Sequence, residues 1–101
     1  MGYYVVAEVN VTDDSWIPEY IENVTRIVEQ HGGKYLARTD KAERLEGDSD
    51  APTVFVLIEW PSREAAETFY TSDAYQPYLA NRKAGATSQL TLFPGEDIAN
   101  A

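Results

Sequence analysis

Two side chains in this 101-residue chain have the chemistry and the setting of catalytic groups. Glu59 is the only acid in the most apolar run, Thr53–Trp60 (TVFVLIEW). A carboxylate among apolar neighbours must be paired, or its pKa rises. Paired with Arg38 or Arg82 it is an ion pair at a strand end; facing a ligand it is an acid–base or orienting group. His31 is the only histidine. At a helix C-terminus its cation interacts favourably with the last carbonyls; at a site it would be a general base. Seven tyrosines add ring area with a hydroxyl attached, and Tyr4, Tyr20, Tyr70, Tyr75 and Tyr78 divide between core, interface and a ligand cleft. Trp60 reads as core before it reads as a cofactor shelf.

Other chemistry is disfavoured. A chain with no cysteine and one histidine has no thiolate centre and no three-histidine metal site. Asp48-Ser49-Asp50 begins like a calcium loop, but neither the glycine nor the distal glutamate follows at the required offset. Phosphate loops, dinucleotide fingerprints and nucleophile elbows are missing, so no metal and no cofactor is expected. The net charge of −9 opposes binding to nucleic acid or to anionic membrane surfaces. The N-terminus lacks a basic region and alternates with polar residues, unlike a signal peptide, and no apolar run approaches a membrane span. The expected location is the cytoplasm.

The elements that must position these groups follow from periodicity. Residues 3–11 alternate as a strand whose one face (Tyr3, Val5, Ala7, Val9, Val11) is wholly apolar. Asp14 or Ser15 caps a helix that runs to about His31, with Pro18 in its first turn. Its stripe is Ile17, Ile21, Val24, Val28 and His31, with Tyr20 and Ile27 at the margins. Gly32-Gly33 ends it, one of them in the left-handed region. A more polar strand, 34–46, sets Tyr35, Ala37 and Thr39 opposite Leu36 and Arg38, with room for a bend in its far half. After the acidic turn 47–52, residues 53–60 form a central strand: Val54, Val56, Ile58 and Trp60 on one face, Phe55, Leu57 and Glu59 on the other. Ser62 caps a helix over 63–71, a second helical segment spans 74–84, and a strand covers 86–94 before a loose tail, 95–101.

The order βαββαβ is that of an α+β, ferredoxin-like domain, with a four-stranded antiparallel sheet in the order 4-1-3-2 filling the whole chain. Two helices can cover only one face of such a sheet. The remaining apolar face predicts a homodimer joined sheet to sheet.

Several segments together resemble one family. YYVVAEVNVTD, HGGKYLAR, RLEGD, VLIEWPS and AAETFYTSDAYQPY, with Tyr20 and Arg82, are similar to domain-of-unknown-function family 1330 of the dimeric α/β-barrel superfamily. The resemblance spans nearly all of residues 2–94. It implies a small, cytoplasmic homodimer with no established reaction. Relatives in the wider superfamily include cofactor-free monooxygenases, lactone isomerases, haem-binding enzymes and ligand binders, and in that setting His31 is either a base or a haem ligand. The expectation is an apolar pocket between helices and sheet. Glu59 and His31 are its candidate catalytic groups, and Arg38, Trp60, Tyr70, Tyr75 and Arg82 its ligand-binding residues. The ligand would be a small organic acid, lactone or aromatic. The competing expectation is a non-catalytic interaction module whose main interface is its own dimer.

Overall fold

The computed structural model describes residues 2–100; Met1 and Ala101, the ends of the expected single domain, lie outside them. Along the chain run β1 (Tyr3–Val11), α1 (Ile17–Gln30), β2 (Lys34–Thr39), β3 (Val54–Trp60), α2 (Arg63–Thr71), α3 (Gln76–Gly85) and β4 (Ala86–Pro94). The strands form one antiparallel sheet in the order β2-β3-β1-β4. This is the expected ferredoxin-like α+β fold. The two most apolar strands hold the centre, where both neighbours satisfy their backbone groups.

Local chemistry explains most boundaries. Pro18 sits in the first turn of α1, where its missing N–H costs nothing. The residue at the cap position is Trp16, with no side-chain cap, rather than Asp14 or Ser15. Asp13 instead accepts the Ser15 N–H at 2.9 Å and closes the turn ahead of the helix. Ser62 caps α2 as expected, its hydroxyl accepting the Ala65 N–H at 3.1 Å. β2 stops at Thr39, well short of the expected residue 46. The chain then loops to Thr53, held by Arg44, which donates to the Ser49 and Asp50 carbonyls. The tail expected to be loose contains a single 3-10 turn, Ile98–Asn100, with Ile98 86% exposed.

The core lies between α1, α2, α3 and one face of the sheet. Val24, Ile27 and Val28 of α1 meet Ile58 and Trp60 of β3, Ala66 and Phe69 of α2, and Tyr75 and Leu79 near and in α3. Each large apolar side chain among these nine supplies roughly 1.5–3 kcal/mol on leaving water, before entropy is counted. The opposite face carries Val6, Phe55, Leu57, Tyr4 and Phe93 with no layer over it; Tyr4 and Phe93 stack at 5.6 Å. The Cα envelope, 44 × 36 × 17 Å, is thin in one direction because it holds two layers.

The α1–β2 junction is the tightest point of this packing. Gly32 has φ +88°, the left-handed conformation expected for one of the pair, while Gly33 is needed for space. A Cβ on Gly33 would lie 2.6 Å from Val28 Cγ1 and 2.9 Å from the Trp60 ring. Gly33→Ala should therefore cost roughly 1–3 kcal/mol by overpacking, and Gly32→Ala about 1 kcal/mol by backbone strain. Urea denaturation of the two variants checks the order: Gly33→Ala the less stable, both below the parent.

Candidate functional site

Between the helices and the sheet lies a cavity of about 530 Å³. Its floor is the apolar face of β1 and β3, Val5, Ala7 and Val9 beside Val54, Val56, Ile58 and Trp60, with Leu90 and Leu92 of β4. α1 supplies Ile17, Tyr20, Ile21, Val24 and Val28; the far wall is Phe69, Tyr70 and Tyr75. Ile21, Tyr70 and Leu90 are each more than a third exposed, at 46%, 39% and 37%, and mark where the cavity meets solvent. The volume suits a small organic molecule.

Three charged residues line this space: Arg38, Glu67 and Arg82. Glu67 is an exposed surface acid paired with Arg63 one helical turn away. Arg82 is only 4% exposed, and no carboxylate among the described residues pairs with it. Its Nη2 donates to the Tyr75 hydroxyl at 3.3 Å, and the Tyr75 and Tyr20 hydroxyls are 2.7 Å apart. Its Nε is buried with no hydrogen-bond partner, as is the indole Nε1 of Trp60. A buried guanidinium satisfied by one hydroxyl still has donors to offer. Burial works against its charge, but Tyr75 and Tyr20 beside it outweigh that and hold its pKa above the ordinary arginine value.

The tyrosines are arranged around that cation. Burial, then Tyr75 alongside, push the Tyr20 hydroxyl far above the ordinary tyrosine range, against the opposing pull of Arg82. Burial also raises Tyr35, with Arg38 pulling the other way. The rings continue as an aromatic wall: Tyr75 packs 4.4 Å from Phe69, Phe69 5.3 Å from Trp60, and Trp16 edge-on to Tyr20 at 5.1 Å. Trp16 is set by Gly85. The Gly85 carbonyl accepts the Thr12 and Asp13 N–H groups and the Trp16 indole N–H at 3.3 Å. A Cβ on Gly85 would lie 2.3 Å from the indole. The site thus offers hydrogen-bond donors and aromatic surface, an arrangement that holds an anionic or oxyanionic head group against an apolar body.

The expected site residues divide in two. Arg38, Trp60, Tyr70, Tyr75 and Arg82 all line the cavity. Glu59 and His31 do not. Glu59 alternates with Ile58 and Trp60, so it points to the opposite face of the sheet and accepts the Tyr4 hydroxyl at 3.3 Å. Neither Arg38 nor Arg82 is its partner. His31 follows the last residue of α1; its Nδ1 lies 2.8 Å from the Ile27 carbonyl, to which only a protonated nitrogen can donate, and its ring stands edge-on to Phe69 at 6.0 Å. The structural use of His31 is therefore present, and the grouping of Glu59 and His31 with the arginines is not. Among the described residues no cluster of His, Asp and Glu has the makings of a metal site, and no helix is long and apolar enough to cross a membrane.

Sequence reasoning missed Trp16, Ile17 and Ile21 as cavity residues and set Tyr35 on the wrong side of its strand relative to Arg38. β2 carries a bulge at Leu36: Tyr35 pairs with Ile58 and Arg38 with Val56, so both face the cavity. The Arg38 guanidinium lies 3.9 Å over the Tyr35 ring, which strict alternation forbids. Nothing in the sequence marks this bulge, which leaves Leu36 exposed beside Tyr35.

The buried hydroxyls make alkaline stability a test of this geometry. Tyr20 and Tyr35 keep their protons in the folded state beyond the pH at which they ionise in the unfolded chain, roughly 10. Above that pH the unfolded state binds fewer protons, so stability is level below it and falls as pH rises through and beyond it. In urea titrations between pH 8 and 11 the decline should be shallower in Tyr20→Phe than in the parent. An equal decline would place the Tyr20 hydroxyl in water.

The chain is similar in structure to a protein of unknown function from Rhodopseudomonas palustris (TM-score 0.80, 16% identity, covering 95% of this chain and 84% of that one). It is also similar to SnoaB, a cofactor-independent oxygenase from Streptomyces nogalater (TM-score 0.66, 18% identity, 95% and 94%). A third likeness is to an antibiotic biosynthesis monooxygenase (TM-score 0.60, 21% identity, 96% and 100%). At these identities the likeness establishes the ferredoxin-like fold alone. No curated protein matches the sequence. The family model for the domain of unknown function DUF1330 matches residues 2–96, and the chain belongs to that family.

Proposed function

We propose that the chain binds a small apolar organic molecule carrying an anionic or strongly hydrogen-bond-accepting head group, in the cavity between helices and sheet. The observation that carries this reading is Arg82: buried, charged, without a carboxylate, its Nε unpartnered, in the wall of an otherwise apolar space. Burying such a group costs several kcal/mol unless a counter-charge meets it. The aromatic wall would hold the ligand's body. The Arg82–Tyr75–Tyr20 chain would bind its head and, in a reacting ligand, stabilise an enolate-type oxyanion. The printed names of two structural neighbours, an oxygenase that needs no cofactor and a monooxygenase, support a cofactor-free reaction on such a molecule as the enzymatic form of this reading. The cytoplasm as its location and the homodimer belong to the same reading. The dimer is supported by the uncovered face with Val6, Phe55, Leu57 and Phe93.

Calorimetric titration with 2-naphthoate tests the ligand. The carboxylate should bind more tightly than its methyl ester. Arg82→Met should weaken it about tenfold or more, a change of about 1.4 kcal/mol, while melting at or above the parent temperature, because an unpaired buried charge is gone. A variant that melts far lower and a probe that never binds would leave Arg82 a packing residue and favour the interaction module.

Sedimentation equilibrium at micromolar concentration tests the dimer. The parent should show twice the 11.3 kDa chain mass, and Leu57→Asp, in the middle of the open face, should shift it toward the monomer without closing the cavity. A monomeric parent would overturn the dimer.

A further inference from the structure

We propose that the cavity takes a two-headed ligand, a small aromatic dianion or diacid, with one head at Arg82 and the other at Arg38. This rests on the cavity reading above and goes beyond it by assigning a second anion subsite at the mouth.

The chain as a whole carries −9, with 17 acids against 8 bases. In the cavity wall the sign reverses. Of its three charged residues, Glu67 is neutralised by Arg63, and the two that remain, Arg38 and Arg82, have no carboxylate partner among the described residues. In a chain where acids outnumber bases two to one, two arginines that line the same cavity without a carboxylate partner favour a ligand of the opposite sign there.

The two cations sit at different depths. Arg82 is almost wholly buried, whereas Arg38 is exposed on the edge strand β2. An exposed arginine on an edge strand ordinarily samples many rotamers. Arg38 is instead held on two sides: its guanidinium stacks on Tyr35, itself a cavity residue, and its Nη1 donates to Thr25 Oγ1 of α1 at 2.7 Å. The bulge at Leu36 brings this about, since only the shifted register sets Arg38 and Tyr35 on the same face. A guanidinium fixed in this way keeps its remaining donors available and has already lost the rotamer freedom that binding would otherwise cost. A bidentate hold on a carboxylate is the geometry a fixed planar fork favours. Apart from these charges and the tyrosine hydroxyls, the lining is mostly aliphatic and aromatic, which suits an apolar body joining the two heads.

Titration with 2-naphthoate and with the 1,4- and 2,6-naphthalenedicarboxylates, at low and moderate salt, tests this. At least one dicarboxylate should bind tenfold or more tightly than 2-naphthoate. Arg38→Gln should erase that gain, so that within this variant the dicarboxylates bind no more tightly than 2-naphthoate, and Arg38→Lys should restore part of it. Arg26→Gln, which removes another exposed arginine of α1 that lies outside the cavity wall, should change nothing. The gain should also shrink with salt more steeply than 2-naphthoate affinity does. If no dicarboxylate gains, or if the gain survives Arg38→Gln, the second subsite is overturned while the Arg82 site stands, provided 2-naphthoate binding still depends on Arg82. If 2-naphthoate itself is indifferent to Arg82→Met, both readings fall.

Discussion

The antiparallel register of β1 on β3 governs everything else in this molecule. It sets Tyr3 opposite Trp60, Val5 opposite Ile58 and Ala7 opposite Val56, and all of these face the helices. The residues between, Tyr4 with Glu59, Val6 with Leu57 and Glu8 with Phe55, face away. Because side chains alternate with a period of two, a slip of one residue would exchange the two sets and bury Glu59 where Trp60 now lies. The helix layer makes that slip costly. Trp60 fits against Gly33 and Val28, where there is room for an indole ring and none for an extra methyl group. The cavity floor, the exclusion of Glu59 from the cavity and the uncovered apolar face are three consequences of the one register.

Within that frame the site is built from departures from regularity. The bulge in β2 turns Arg38 toward the helices. Gly85 closes α3 against the loop before α1, and its carbonyl gathers three donors, one of them the indole of Trp16. A side chain at Gly85 would displace that indole, and with it the edge-on support of Tyr20. Tyr20 in turn meets Tyr75, and Tyr75 takes the hydrogen bond from Arg82. A chain of short-range contacts thus connects a backbone carbonyl at a helix end to the most deeply placed charge in the protein. Burying Arg82 is costly, and in the function proposed above a ligand's negative head group is what offsets that cost.

The same geometry changes the chemistry expected of the chain. A carboxylate and an imidazole in the pocket would have made a general acid–base site. The wall offers guanidinium and phenol groups instead, hydrogen-bond donors suited to negative charge rather than to taking up a proton. His31, with its Nδ1 turned to the Ile27 carbonyl, finishes α1 and supports Phe69.

The sequence by itself determined the order of elements, the central place of β1 and β3, the glycine turn after α1 and the Ser62 cap. Those features are local or periodic, and alternation, capping and composition report them directly. Only the tertiary structure decided which face of each strand the helices would cover, because the two faces of β3 are nearly equal in hydrophobicity and the choice rests on how Trp60 fits beside Gly33. That choice removed Glu59 from the site. It also decided where Arg38 points, since one inserted residue reverses the alternation and a bulge forms only when the partner strand is in place. Trp16 and Ile21 joined the site for a similar reason. A residue before a helix and an exposed isoleucine on its flank become part of a cavity wall only when α3 and the sheet close around them.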